Sequence, residues 1–288
     1  MALRLKRVFD YIENLSIGWL GIFLTASIII SARIVLESIF DAATFFSYWT
    51  LIFLGSWFFS LFIAFILAVS FFAKIAPIKS ARLLLAGLPI ILLPLFGLIF
   101  GISRYFDFLT GEWREIGFHL ITFAAFHPQL GIFFAVEILT VLAAFFLFFL
   151  MRVGSFRAIF GVAAAYLVLA FFAIQAKILE DTWVSGFFAT DLPFVPVYAA
   201  FNFALLILSG VLLFYRISPQ KANSLFFQLR PERLFSFLIF GILCILGAES
   251  DDSIYLLNFL AGFGLFCFFL FYAALSNDAA DLEIDKIF

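Results

Sequence analysis

From Ala42 to Ala73 the chain runs for 32 residues without a charged side chain. A run of that length covers the roughly 20 residues a helix needs to cross the hydrocarbon of a bilayer, where every backbone polar group must be satisfied within the protein. Composition points the same way: 66% of residues are apolar, 12% are charged and 47 of 288 are phenylalanine, which excludes an ordinary soluble domain. Apolar runs give eight expected spans: Asn14 to Ala32, a second starting near Trp49, Leu83 to Ser103, Gln129 to Met151 interrupted only by Glu137, Ala158 to Ala176, Val197 to Tyr215, the short Leu234 to Ala248, and Ser253 to Asn277. Pro89 and Pro94 are expected to kink the third or open its backbone hydrogen bonding. The expected fold class is therefore all-α, a polytopic membrane protein of about eight transmembrane helices. Before the first span, Arg4, Lys6, Arg7, Asp10 and Glu13 suit a short amphipathic lead-in that stays attached, because no small-residue cleavage site stands out. Cys244 and Cys267 both fall inside apolar spans and read as packing residues, neither a disulfide nor a zinc site.

Lysines and arginines in alternate connections test the span count. One set of ends carries Arg4, Lys6, Arg7, Lys74, Lys79, Arg82, Arg152, Arg157, Arg216, Lys221, Arg230, Arg233 and Lys286; the other carries only Arg33, Arg104, Arg114 and Lys177. Basic residues concentrate on the cytoplasmic side of membrane proteins, so both termini are expected to be cytoplasmic.

The stretch that suggests chemistry is Asn277 to Phe288. On a helix turning about 100° per residue, Asp278, Asp281 and Asp285 lie within about 60° of one another and Asn277 lies about 40° from Asp281. Three like charges on one stripe repel one another, and a divalent cation would reverse that. Magnesium takes carboxylate oxygen and commonly shares its shell with a substrate's phosphates, which makes Asp278, Asp281 and Asp285 candidate Mg2+ ligands.

The run Asn277-Asp278-x-x-Asp281-x-x-x-Asp285 resembles the first aspartate motif, NDxxDxxxD, of the UbiA-type intramembrane prenyltransferases. The resemblance implies that Asp278, Asp281 and Asp285 hold Mg2+ on the diphosphate of a polyprenyl donor, with Asn277 as ligand or orienting group, and that the group passes to an acceptor. Leu229-Arg230-Pro231-Glu232-Arg233 resembles the Arg-Pro entry to the first core helix of that family. The likeness covers about residues 225 to 288, and this sequence has no DxxxD several helices downstream of the first motif, where the family carries its second. The expectation is thus the N-terminal portion of a prenyltransferase, inactive as this chain alone and completed by a second polypeptide or a continued reading frame. Expected domains are 1–216, six spans of unknown role, and 217–288, the first two helices of a UbiA-like domain. Residues 216–233, with Pro219, Pro231 and the polar run Ser218 to Ser224, read as the linker between them.

Expected partners are the lipid bilayer, a polyprenyl diphosphate and its acceptor, with no nucleic acid; the expected location is a bacterial or archaeal plasma membrane. Two other functions fit the same residues. The chain is alternatively a non-catalytic scaffold or carrier whose terminal acids are solvated, or it takes part in phosphoribosyl transfer to polyprenyl phosphate.

Elsewhere structural roles are favoured. Glu137, a carboxylate inside an apolar span, either serves a relay or headgroup contact or reaches water or Arg114 near the span's outer end. His119 and His127 read as interfacial or packed residues in preference to metal ligands. Arg33 and Glu37 read as an i,i+4 ion pair at the membrane edge. Glu249, Asp251 and Asp252 read as a solvated turn. The phenylalanine runs, such as Phe145, Phe146, Phe148 and Phe149, are expected to spread around their helices for lipid and helix packing.

Overall fold

The computed structural model describes residues 2–40, 48–92, 113–122, 131–179 and 194–228, and these form helices and the short turns between them. In chain order the helices are α1 (Ala2–Glu13), α2 (Trp19–Phe40), α3 (Tyr48–Ala73), α4 (Pro77–Gly87), α5 (Trp113–Ile121), α6 (Gly131–Val153), α7 (Ser155–Leu179), α8 (Phe194–Ile217) and α9 (Pro219–Gln228), with a 3-10 turn, Leu88–Leu92, continuing α4. Three of them are long and apolar enough to cross a membrane, through Trp19–Leu36 of α2, Phe53–Ala73 of α3 and Ser155–Gln175 of α7. Shorter apolar stretches occupy Ile138–Val153 of α6 and Phe201–Ile217 of α8. The expected spans at Leu234 to Ala248 and Ser253 to Asn277 lie outside the described residues.

The bundle is assembled around α3. Of its apolar stretch 61% is buried, against 28% for α2 and 33% for α7, and α2, α4, α6, α7 and α8 all pack on it. The most extensive contact is with α8. Ser56, Ser60, Ala64 and Ala68 recur every four residues on α3, a spacing of small side chains that lets helices approach closely. Ser60 is fully buried there, its hydroxyl 2.6 Å from the Ser56 carbonyl and 3.2 Å from that of Asn202 on α8. Gln175 of α7 donates to the Asn202 side chain at 3.0 Å, and Trp57 of α3 donates to the Phe172 carbonyl at 3.3 Å. These polar ties join α3, α7 and α8 at one depth in an otherwise apolar interface.

On α2 both faces are apolar. Ile22, Ala26, Ile30 and Ile34 are buried in the bundle, whereas Leu20, Leu24 and Ile28 point outward, with Leu20 76% exposed. Equal apolarity inside and outside fits a helix between protein and lipid, because neither neighbour is water.

Several expectations need correction. The helix that contains Leu83 begins six residues earlier, because Pro77 occupies the first turn of α4, where its missing N–H costs nothing; the rest of the expected span, from residue 93, lies outside the described residues. Lys79 and Arg82 of α4 are therefore helical. Pro89 does open the helix, which tightens to 3-10 geometry at Leu88–Leu92, while Pro94 lies outside the described residues. The polar run Ser218 to Ser224, read as linker, instead belongs largely to α9, started by Pro219 in its first position and packed on α8. Arg33 is fully buried in the bundle, and its Nη1 donates to the Ile91 carbonyl at 2.7 Å; the expected pair with Glu37 falls outside the description. Phe145, Phe148 and Phe149 are not spread around α6 but gather in one buried cluster with Phe65, leaving Phe146 outward.

A single residue joins α6 to α7. Gly154 adopts φ +82°, the left-handed conformation glycine accepts without strain, and α7 starts at the next position. Seven residues on, the hairpin closes tightly: a Cβ on Gly161 would lie 2.7 Å from the Phe149 ring. Gly161→Ala should accordingly destabilise the bundle by about 1–3 kcal/mol, the usual cost of overpacking. Thermal unfolding in detergent would show it, and adding Phe149→Leu should recover part of the loss.

Candidate functional site at the cation-rich end of the bundle

The end of the bundle where α3 finishes and α4 begins gathers charges from chain segments far apart in sequence. α1 is amphipathic and docks through Phe9, whose ring meets that of Phe148 on α6 edge-on at 5.4 Å. This docking buries Glu13, the last residue of α1, to 1% exposure. A carboxylate so placed needs cations, and it has two: Arg152 pairs with Oε1, and Lys79 Nζ stands 3.9 Å from Oε2. Arg152 also reaches Asp10 at 3.5 Å. Arg82 completes the clasp by donating to the Glu13 carbonyl at 2.8 Å and to the Ile17 carbonyl at 2.9 Å, the backbone corner between α1 and α2. Arg152 lies in the last turn of α6, where the helix dipole also favours a cation. The clasp thus ties α1, α4 and α6 together by charge.

On the same end lies an open pocket of about 810 Å³. Its walls come from the α3–α4 turn, the first turns of α7 and the end of α8, and they carry Lys74, Arg157 and Arg216 among Phe71, Phe72, Phe156 and Phe160. Lys74 ends α3 in the left-handed conformation, φ 55°, where glycine is the common residue. The Ser70 hydroxyl stabilises that turn by donating to the Ile75 carbonyl at 2.8 Å. Arg157 sits in the first turn of α7 and Arg216 in the last turn of α8. None of the three cations has a carboxylate partner among the described residues. Chemically the pocket can bind an anion; its described lining has no carboxylate, thiol or imidazole for acid–base or nucleophilic work.

The residues singled out by sequence are placed as follows. Asn277, Asp278, Asp281 and Asp285 lie outside the described residues, as do His127, Glu249, Asp251 and Asp252. Glu137 is on α6, with its side chain outside the description. His119 ends α5, its ring edge-on to Phe118 with centroids 5.7 Å apart. α5 is held against α7 by Ile116, packed on Ala173 and Ile174, and by the Tyr166 hydroxyl donating to the Leu120 carbonyl. Among the described residues no three His, Cys, Asp or Glu side chains form a metal-binding group.

Sequence reasoning missed both the clasp and the pocket. It used Lys74, Lys79, Arg82, Arg152, Arg157 and Arg216 only as topology markers, whereas their tertiary convergence follows from helix packing. The available signal was phenylalanine just before two of these cations, Phe71 and Phe72 ahead of Lys74 and Phe156 next to Arg157. No family model, curated protein or solved structure matches the chain.

Removing the buried carboxylate charge should loosen the clasp. Glu13→Gln is expected to cost about 1–3 kcal/mol, below the usual range for a broken buried pair because Arg152 and Lys79 are 30% and 39% exposed and water softens their loss. Arg152→Gln added to Glu13→Gln should cost less than the sum of the two single changes, measured by thermal unfolding of all four proteins.

Proposed function

We propose that this chain is a multi-pass plasma-membrane protein of bacterial or archaeal type carrying the N-terminal portion of a UbiA-like, magnesium-dependent prenyltransferase. The observation that carries the reading is the aspartate stripe: Asn277, Asp278, Asp281 and Asp285 fill every defined position of NDxxDxxxD directly after an apolar run. Four oxygen donors on one helical face are the donor set that a hard divalent ion takes. The convergence of Glu13, Lys79, Arg82 and Arg152 at one end of the bundle supports the topology, because the lysine and arginine distribution assigned these segments to the same side.

In this reading Asp278, Asp281 and Asp285 hold Mg2+ and Asn277 orients the donor diphosphate. When bound, the metal supplies positive charge against the departing diphosphate as its bond to the allylic carbon breaks. The acceptor then forms its bond to that carbon and releases a proton. The DxxxD half of the clamp comes from a second polypeptide or from further sequence.

Calorimetric titration of the detergent-solubilised chain with geranylgeranyl diphosphate tests the stripe. Binding should require Mg2+ and weaken about tenfold or more in Asp281→Asn, since even residues that only support a metal site act on that scale. The 288-residue chain by itself should transfer no prenyl group to a membrane acceptor. Diphosphate binding indifferent to chelator and to Asp278→Asn and Asp281→Asn would return these acids to the role of a solvated helix end.

A further inference from the structure

We propose that the open pocket between the α3–α4 turn, the start of α7 and the end of α8 binds the phosphate headgroup of an anionic membrane phospholipid through Lys74, Arg157 and Arg216. None of its three cations belongs to the aspartate stripe, and its tests are independent of the transferase reading.

Charge comes first. At this end of the bundle Lys79, Arg82 and Arg152 are engaged by Glu13, Asp10 and two backbone carbonyls. Lys74, Arg157 and Arg216 converge on one pocket without a carboxylate among the described residues to balance them. Two helices end at the pocket, α3 and α8, and two begin there, α4 and α7. Each terminus carries about half an elementary charge, negative at the ends and positive at the starts, so the four contributions roughly cancel. What remains is the charge of the three side chains.

Fold stability does not account for all three. Lys74 and Arg216 suit the C-terminal ends of their helices, but Arg157 stands in the first turn of α7, where a cation opposes the helix dipole. A bound phosphate would offset that opposition. A general excess of basic residues on one side of a membrane requires cations at this end but does not require three to line one cavity.

The apolar walls select a lipid over a soluble phosphate ester. Phe71, Phe156 and Phe160 are 67%, 74% and 51% exposed, and the last two stack edge-on at 4.9 Å. They belong to α3 and α7, both apolar enough to cross a membrane, and therefore offer acyl chains a surface beside the cations. Basic pockets between membrane helices recognise anionic headgroups by this combination of charge and hydrocarbon contact.

The test uses delipidated full-length chain in detergent, titrated with phosphatidylglycerol or phosphatidylcholine and read by native mass spectrometry and by thermal unfolding. Phosphatidylglycerol should be retained and should raise the unfolding temperature, while phosphatidylcholine should do neither. Each of Lys74→Gly, Arg157→Gln and Arg216→Gln should weaken phosphatidylglycerol binding about fivefold, and the triple variant roughly a hundredfold. Lys74→Gly is the variant least able to disturb folding, because glycine accepts the φ of 55° at that turn. Lys221→Gln, on α9 and outside the pocket lining, should bind as the parent does. Equal retention of both lipids, or unchanged phosphatidylglycerol binding by Lys74→Gly and the triple variant, would overturn the proposal. Displacement of the lipid by millimolar inorganic phosphate would also overturn it, by showing that the pocket takes the free anion.

Discussion

A helix surrounded by other helices in an apolar medium has no water to satisfy a polar atom, so each such atom must find its partner in protein. This requirement governs α3. Ser56 and Ser60 turn their buried hydroxyls to carbonyls one turn back, those of Phe53 and Ser56, and Ser60 also reaches the Asn202 carbonyl of α8, which small side chains allow to come close. Close approach of α8 then brings Asn202 within reach of Gln175, and the amide pair fixes the relative depth of α7 and α8 more specifically than interchangeable methyl groups would. Arg33 follows the same rule. Its buried guanidinium donates to the Ile91 carbonyl in the 3-10 turn after α4, which ties α2 to that turn.

The basic end divides its cations between two kinds of work. Arg152 and Lys79 neutralise a carboxylate that the docking of α1 has taken out of water, while Arg82 binds the backbone corner following it. Those three charges hold the fold. Lys74, Arg157 and Arg216 are spread over a second patch with aromatic walls, where their charge faces outward. Net charge alone does not distinguish the groups; the position of Glu13 does, because one buried acid decides which neighbouring bases are neutralised.

Most of the helical framework was legible in the apolar runs. The expected starts near Trp49 and at Gln129 and Ala158 fall within three residues of the observed Tyr48, Gly131 and Ser155, because a run of hydrocarbon side chains bounded by charge has one physical use in this composition. Boundaries failed where a charge or polar residue is itself helical. Arg33 truncated the expected first span although it is buried in the bundle, and Lys79 and Arg82 masked the first turns of α4. The polar face of α9 resembled a linker for the same reason. Of the candidate site, the aspartate stripe is a spacing within one segment and was visible at once, though it lies outside the described residues. The basic pocket depends on three segments meeting, and no local pattern encodes that meeting.

The one-residue turn at Gly154 leaves almost no slack between α6 and α7. Arg152, on one side of it, belongs to the clasp; Arg157, on the other, belongs to the pocket. The two sites therefore share one corner of the chain, and any rebuilding of the turn at Gly154 has to displace Arg152 from the clasp or Arg157 from the pocket.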